Sequence, residues 1–326
     1  MKVSFINVGY GEAILIESSS GKESFNMIID GGSNMDSEYE NNYTGRIKLL
    51  DYLIKADIDH IDIMVISHIH EDHLCGLLNA AKYFRPKELW QSIPKNIYKK
   101  LNDFPNFRIT NPDRIKFAVS LNDWVKLQTL VEESGGKVRF LKAGDRIPLL
   151  ENLDVQILGP QEERTEELGK LIEGLFESEN ENDFLRKLEE LDIRMNNYSL
   201  IMKLLCFGRK ILLPGDTNMY GYRNIFETEL RADVFKIGHH GQKDGADRAI
   251  LKKINPQIMV CCASSDRRFG SAATELIKAA MDEKIEIFYS DCPLVEEIQE
   301  NLPAHNAVVF DIDESALNVE YHSLNN

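Results

Sequence analysis

Three of the eight histidines in this chain fall within one run of six residues, His68-Ile69-His70-Glu71-Asp72-His73. No other feature limits the fold as strongly. The run follows an apolar stretch at 61–66, of the kind buried on both faces of a sheet, and precedes apolar residues at helical spacing over 74–84. That order predicts a strand, a turn rich in imidazole and carboxylate, and a helix. Strand-to-helix turns are where layered α/β folds place their chemistry. On extended backbone, side chains two apart project to the same side, so His68 and His70 can grip one cation. Asp72 and His73, at the start of the helix, can face a second. Nitrogen and oxygen donors without thiolate favour Zn²⁺, Mn²⁺ or Fe²⁺.

The remaining pattern surrounds this turn with strands. Residues 1–16 read as two short strands about Val8-Gly9-Tyr10-Gly11, and 25–29 as a third that ends at Asp30-Gly31-Gly32. Helical spacing follows at 46–55. Residues 86–136 are broken by Pro94, Pro105 and Pro112 and end in a helix at 124–133, so they read as an insertion over the core. Strands resume at 137–141, 145–149 and 154–158, then at 199–206 and 210–213. Further strands at 234–237, 258–262 and 285–289 alternate with helices at 246–253 and 272–283, and strands at 307–311 and 317–321 close the chain. Two β-rich halves, each followed by helices, predict one α/β domain over 1–326, built as a pseudo-symmetric sandwich with insertions at about 86–136 and 161–194.

Composition narrows what this sandwich can bind. With 326 residues, 43% apolar and 28% charged, the chain is neither disordered, collagenous nor a membrane bundle. Its net charge of −15 repels polyphosphates at long range and disfavours non-specific duplex binding. More than half of that excess lies in 161–192, where twelve acids face Arg164, Lys170, Arg186 and Lys187, a net of −8. The apolar residues of this segment, from Leu168 to Leu191, have helical period, which predicts a helical hairpin with a solvated acidic face. Five cysteines without a C-x-x-C pair suit a reduced compartment. No apolar run approaches the roughly 18 residues of a spanning helix, and residues 1–17 contain no signal-peptide core. A cytoplasmic protein with no membrane contact is expected.

The histidine run reproduces an H-x-H-x-D-H motif at His68, His70, Asp72 and His73, and in this the chain resembles the metallo-β-lactamase-fold hydrolases. The resemblance implies a four-layer αββα sandwich with helical insertions. It also implies two divalent metal ions, zinc or manganese, that share a bridging hydroxide. Carried over residue by residue, Asp30 matches the acid that orients the ligands from behind. Asp216, in Leu213-Pro214-Gly215-Asp216, matches the acid that bridges both metals. His239-His240-Gly241 matches the last ligand position, and the doublet leaves either imidazole as ligand and the other as proton donor to a leaving group.

More narrowly, the chain looks like the branch that includes the hydrolase domain of the ComEC-type competence proteins. The residues that carry this are the run Val8 to Ile16, Asn196-Asn197-Tyr198-Ser199-Leu200, Leu213-Pro214-Gly215-Asp216, and the run Val234 to Gly241. There is no histidine between His73 and His239, so the mid-chain metal ligand of many members is missing. The branch has an Asn-rich turn there, which implies Asn196 or Asn197 at that position, with an amide oxygen as a weaker donor or water filling the gap, and leaves the first metal site short of one strong ligand. Cys75-Gly76 stands where Gly-Gly is usual, and Phe269-Gly270-Ser271 replaces a small-His-Pro segment.

The expected activity is that of a metal-dependent hydrolase, phosphodiesterase- or nuclease-like, with Asp72, His239 and His240 in catalytic positions. Its substrate would be a small phosphodiester or single-stranded nucleic acid, although only 95–100, with Tyr98, interleaves lysine and an aromatic. A carboxylic ester, lactone or thioester hydrolase is the alternative from the same chemistry. From another class, the fold could serve as a partner-regulated effector or scaffold subunit that docks a protein through 161–192. Lys243 as a proton donor, and Arg267 and Arg268 as a bidentate phosphate clamp, are alternatives to their reading as ordinary loop residues, and Cys75, His60, His305 and His322 are read as ordinary surface or core residues.

Overall fold

Alternate residues of the first strands are apolar on both faces, so these strands must be covered from both sides. The computed structural model describes residues 1–20, 23–40, 43–94, 97, 109–295 and 302–324; of the lysine stretch 95–100, all but Ile97 lies outside them. One sheet contains β1 (Lys2–Ile6), β2 (Ile14–Ser20), β3 (Glu23–Ile29), β4 (Ile63–Val65), β5 (Glu88–Gln91), β6 (Lys137–Phe140), β14 (Ala307–Ile312) and β15 (Leu317–His322). The other contains β7 (Arg146–Leu150), β8 (Leu153–Gly159), β9 (Ile201–Cys206), β10 (Arg209–Leu213), β11 (Val234–Lys236), β12 (Ile258–Cys261) and β13 (Glu286–Tyr289). The strand orders are β15-β14-β1-β2-β3-β4-β5-β6 and β13-β12-β11-β10-β9-β8-β7.

Val3, Phe5, Ile14, Ile16, Met27, Ile29 and Val65 meet Val155, Met202, Leu204, Ile211 and Leu213 between the sheets. Their neighbours Ile6, Leu15, Ile28 and Met64 face outward, onto α1 (Leu49–Lys55), α2 (Glu71–Phe84), α3 (Pro112–Glu133), α4 (Glu162–Phe176) and α5 (Glu181–Arg194). Ile201, Leu212, Phe235 and Met259 likewise face α6 (Glu227–Leu230), α7 (Arg248–Ile254) and α8 (Thr274–Asp282). The result is the expected four-layer αββα arrangement. Each such side chain contributes about 1.5–3 kcal/mol on leaving water, so a one-residue slip of any inner strand is strongly opposed.

Both sheets join an antiparallel half to a parallel half. β3 to β6 run parallel, with Ile28 opposite Met64, and so do β10 to β13, with Ile211 opposite Val234. Ligand sites in such sheets form beyond the carboxyl ends of the parallel strands. Here the ends of β3, β4, β10 and β11 deliver Asp30, Ser67-His68, Asp216 and His239-His240 to one place.

Three readings of the sequence are corrected. Residues 86–136 are not all insertion, because β5 lies inside the sheet between β4 and β6. Four residues after a proline carry too little pattern to be recognised as a central strand. The helix at 124–133 begins at Pro112, and Phe117, Leu121 and Trp124 bury its inner side against α2. Helix α2 starts at Glu71 rather than near 74, which places Asp72 and His73 on its first turn. That turn packs closely on the end of β3: a Cβ on Gly76 would sit 1.8 Å from the Gly31 carbonyl, so only glycine allows the approach.

Candidate metal centre

Asp30 leaves β3 in left-handed backbone, with φ 57°, and is wholly buried. One carboxylate oxygen accepts from the Ser67 amide at 2.8 Å and the other from the Ser67 hydroxyl at 2.5 Å and His73 Nδ1 at 2.8 Å. This fixes two imidazoles at once. His73 gives its Nδ1 proton to Asp30 and turns a bare Nε2 forward. Ser67 has spent its proton on Asp30, so His68 Nδ1, 3.0 Å away, donates to the Ser67 oxygen and leaves His68 Nε2 bare as well.

His240 arrives from the other sheet in the same state. Its Nδ1 donates to the Cys262 carbonyl at 2.9 Å, and its bare Nε2 lies 3.3 Å from that of His73. His239 and His240 both adopt left-handed backbone, φ 49° and 51°, a conformation that non-glycine residues hold mainly where packing imposes it. Around the facing nitrogens stand two carboxylates. Asp216 Oδ2 is 3.1 Å from His73 Nε2 and 2.9 Å from His240 Nε2, and Asp72 Oδ2 is 3.1 Å from His240 Nε2. Asp72, His73, Asp216 and His240 thus form a group that could hold a metal ion.

His68 and His70 make a second pair. His70 Nε2 donates to Asp192 Oδ1 at 3.2 Å, which leaves its Nδ1 bare and 3.0 Å from the bare Nε2 of His68. Two imidazole nitrogens bound to one tetrahedral zinc are about 3.3 Å apart, given bonds of roughly 2.0–2.1 Å. Lone pairs facing at 3.0 and 3.3 Å repel each other unless a cation or protons lie between them. The donor set therefore fits divalent metal at both pairs.

Without a cation between the His73 and His240 rings, protons take its place. Burial opposes the cations of His73 and His240, yet Asp216 and Asp72 beside them raise both, His240 to about 9. Burial would also raise Asp72 and Asp216, but His73 and His240 hold both carboxyls well below their usual range. His68 has no carboxylate in contact. Burial, with His73 and His70 nearby, pushes it well below the ordinary imidazole value, so it stays neutral.

A cleft of about 360 Å³ opens over the cluster, lined by Tyr10, His70, Asp192, Asn196, His239 and Arg268 among others. His239 stays outside the buried group. It faces this cleft, with Nδ1 2.7 Å from Asp244, so geometry separates the two members of the doublet. Asn196 and Asn197 follow α5, and both buried Oδ1 atoms lack a hydrogen-bond partner, although only Asn196 lines the cleft. The hairpin of α4 and α5 is present, but its acidic face is not wholly remote from the site. Asp192 reaches His70, with Arg114 on its other oxygen.

Several site residues escaped the sequence reading. Lys236, inside β11, is fully buried and ion-pairs with Glu12 and with Asp216 Oδ1 at 3.3 Å. Burial would lower its ammonium, but Glu12 and Asp216 hold it well above the usual lysine range. A lysine within the apolar run Val234-Phe235-Lys236-Ile237 was the available signal. Tyr10, whose ring lies 4.5 Å from that of His240, was also missed, and Arg268, left outside the expected catalytic set, lines the cleft wall. Lys243 is exposed and pairs with Glu275. Arg267, His305 and Cys75 bond to loop carbonyls or lie buried, as expected of ordinary residues.

A sequence model of the metallo-beta-lactamase superfamily matches residues 6–265. The chain belongs to that superfamily. ComE operon protein 3 of Bacillus subtilis (strain 168) is 19% identical over 299 residues, 89% of this chain and 32% of that protein, so the chain spans about a third of its curated relative. Among solved structures, Zn(2+)-bound PqqB from Methylobacterium extorquens is 9% identical with a TM-score of 0.48, over 96% of this chain and 100% of that one. The short form of human tRNase Z is 14% identical with a TM-score of 0.38, over 79% and 92%. Members of the metallo-beta-lactamase superfamily usually bind divalent metals, and this chain has the His/Asp clusters for it. Among the described residues no helix is long and apolar enough to cross a membrane.

Proposed function

We propose that the chain is a dinuclear metal-dependent phosphodiesterase acting on small phosphodiesters, with zinc or manganese as its metal. One observation carries the reading: two pairs of bare imidazole nitrogens, 3.3 and 3.0 Å apart, lie beside a cleft that also presents Lys116 and Arg268. Asp72, His73, Asp216 and His240 would hold one ion. His68 and His70, with Asn196 as a weak amide donor, would hold the other. When bound, divalent cations supply a nucleophile at neutral pH and polarise the phosphoryl group.

The protein's own groups do the rest. Asp30 and the Cys262 carbonyl hold His73 and His240 in the tautomers that turn Nε2 toward Asp216. Lys236 takes Asp216 Oδ1, which turns Oδ2 toward the two imidazoles. Tyr10 keeps its proton, because burial and the nearby Asp72 and Asp216 carboxylates raise its pKa, and so offers a neutral hydroxyl to a phosphoryl oxygen. His239, oriented by Asp244, is placed to protonate the leaving oxygen. Arg268 and Lys116 offset the phosphodiester charge.

The cleft volume suits a nucleotide-sized ligand. Glu38, Glu71 and Asp192 on its walls, and the net charge of −15, oppose an extended polyanion. In the same reading residues 1–326 form one catalytic domain, which is supported by the shared core between the sheets. The narrower ComEC-type branch is supported by the 19% identity to ComE operon protein 3. The test is metal content per chain, followed by turnover of bis(p-nitrophenyl) phosphate, single-stranded DNA and a simple lactone with added Mn²⁺ or Zn²⁺. Two bound metals with turnover of the small diester are expected; turnover of the lactone alone would overturn the reading.

A further inference from the structure

Phe269 is 67% exposed and forms part of the cleft wall. Its backbone is left-handed at φ 55°, as are Arg267 at 50° and Ala272 at 47°, a region that bulky L-residues rarely occupy. Three such residues within six persist only where surrounding contacts impose them. Arg267 supplies those contacts. Its guanidinium donates to the carbonyls of Ser271 at 3.4 Å, Ala272 at 2.7 Å and Leu294 at 3.2 Å, and to the Thr274 hydroxyl at 3.1 Å. The loop is thus clamped in a form that holds an apolar ring out toward solvent, beside charged walls.

The ring has company suited to a flat heterocycle. Tyr10 meets Phe269 edge-on at 5.2 Å and continues down to His240, so an aromatic corner links the cleft mouth to the cluster. Arg268 lies 5.7 Å over the Tyr10 ring and ion-pairs with Glu38, whose other neighbour, Arg46, is held by Asp291. The Arg268 guanidinium, fixed by Glu38 and by Asp266, and the Glu38 carboxylate therefore stand beside an aromatic corner whose outer ring, Phe269, is exposed. A nucleobase matches this set: a π-face for stacking, and donor and acceptor atoms along its edge.

We infer that Phe269, Tyr10 and the Arg268–Glu38 pair form a nucleobase subsite, and that the substrate is a nucleoside phosphodiester whose base lies at the cleft mouth. The inference rests on the phosphodiesterase reading above and names its substrate class. The acidic walls restrict the ligand to one or two nucleotides.

Two esters with the same leaving group test it: thymidine 5′-(p-nitrophenyl phosphate) and ethyl p-nitrophenyl phosphate. The wild-type protein prefers the nucleoside ester by about tenfold or more in kcat/KM, mostly through KM. Phe269→Ala reduces that preference about tenfold, and Phe269→Trp retains it, as expected for base stacking. Equal rates on the two esters, or an undiminished preference in Phe269→Ala, would overturn the subsite while leaving the phosphodiesterase reading intact. If neither ester is cleaved, the phosphodiesterase reading fails. Calorimetric titration with thymidine 5′-monophosphate then judges the subsite without turnover: binding weakened about tenfold by Phe269→Ala supports it, and equal binding refutes it.

Discussion

The His73–His240 pair and the His68–His70 pair use the same device and end in different states. Each sets two bare nitrogens within 3.3 Å, and each relies on acid, carbonyl or hydroxyl oxygens behind the rings to fix the tautomers. The first pair is closed by Asp72 and Asp216 and is fully buried. The second has no carboxylate on its bare nitrogens; Asp192 sits behind His70, and the nearby amide oxygen of Asn196 is unpartnered. Burial therefore has opposite consequences. Where anions are present the imidazoles are raised, and where they are absent His68 is lowered. In the proposed reading, counter-charge rather than the number of imidazoles sets how strongly each position would hold a cation.

The largest effect should follow loss of the shared carboxylate. Asp216→Ala is expected to cut turnover roughly 10³-fold, the scale seen when one preorganised electrostatic group is removed, with the far-UV circular dichroism unchanged. Unchanged turnover would break the comparison at its root. Lys236→Met should come next, because it leaves Glu12 buried without its cation. A loss of about 3–5 kcal/mol in denaturant unfolding is expected, and a neutral result would show that Lys236 does not support Asp216.

His70→Ala should cost less than either, since it touches the weaker pair. Turnover should fall roughly 10–100-fold and recover in part at higher metal concentration. A loss as deep as that of Asp216→Ala would erase the difference between the two positions. The smallest effect comes from a lysine whose burial its one nearby carboxylate, Glu229, does not offset. Lys203, on β9, is buried and donates to the Glu229 carbonyl, and burial with Lys210 nearby lowers it to about 8. Between about pH 8 and 10.5 the unfolded chain binds more protons than the folded one, so stability rises with pH across that window. Lys203→Met should raise stability by roughly 1 kcal/mol at pH 7, about 2 °C in Tm, with the gain fading between about pH 8 and 10.5. A destabilised variant at pH 7 would refute the contrast with Lys236.

Most strands were legible because their alternation is strict and both faces are apolar; 25–29, 210–213 and 234–237 differ from the observed strands by a residue or two at one end. The histidine run was legible as chemistry set at a strand end, whereas Asp30, Asp216 and the doublet were legible only through the resemblance to the metallo-β-lactamase-fold hydrolases. What escaped was set by pairing between distant segments. Lys236 meets Asp216 only because β10 and β11 run parallel in a register that puts Leu212 opposite Phe235. Asp192 meets His70 across 122 positions of sequence, by way of a hairpin whose own pattern speaks only of its buried side. Choosing His240 over His239 required the Cys262 carbonyl, which belongs to the end of the next strand.

Calorimetric titration of the metal-free protein with Zn²⁺ or Mn²⁺, beside the His240→Ala variant, tests the central claim most directly. The account predicts two binding events in the wild type, one tight and one weaker, with the tight event lost in His240→Ala and the weaker one retained. A single event that survives His240→Ala unchanged, or no binding at all, would contradict it.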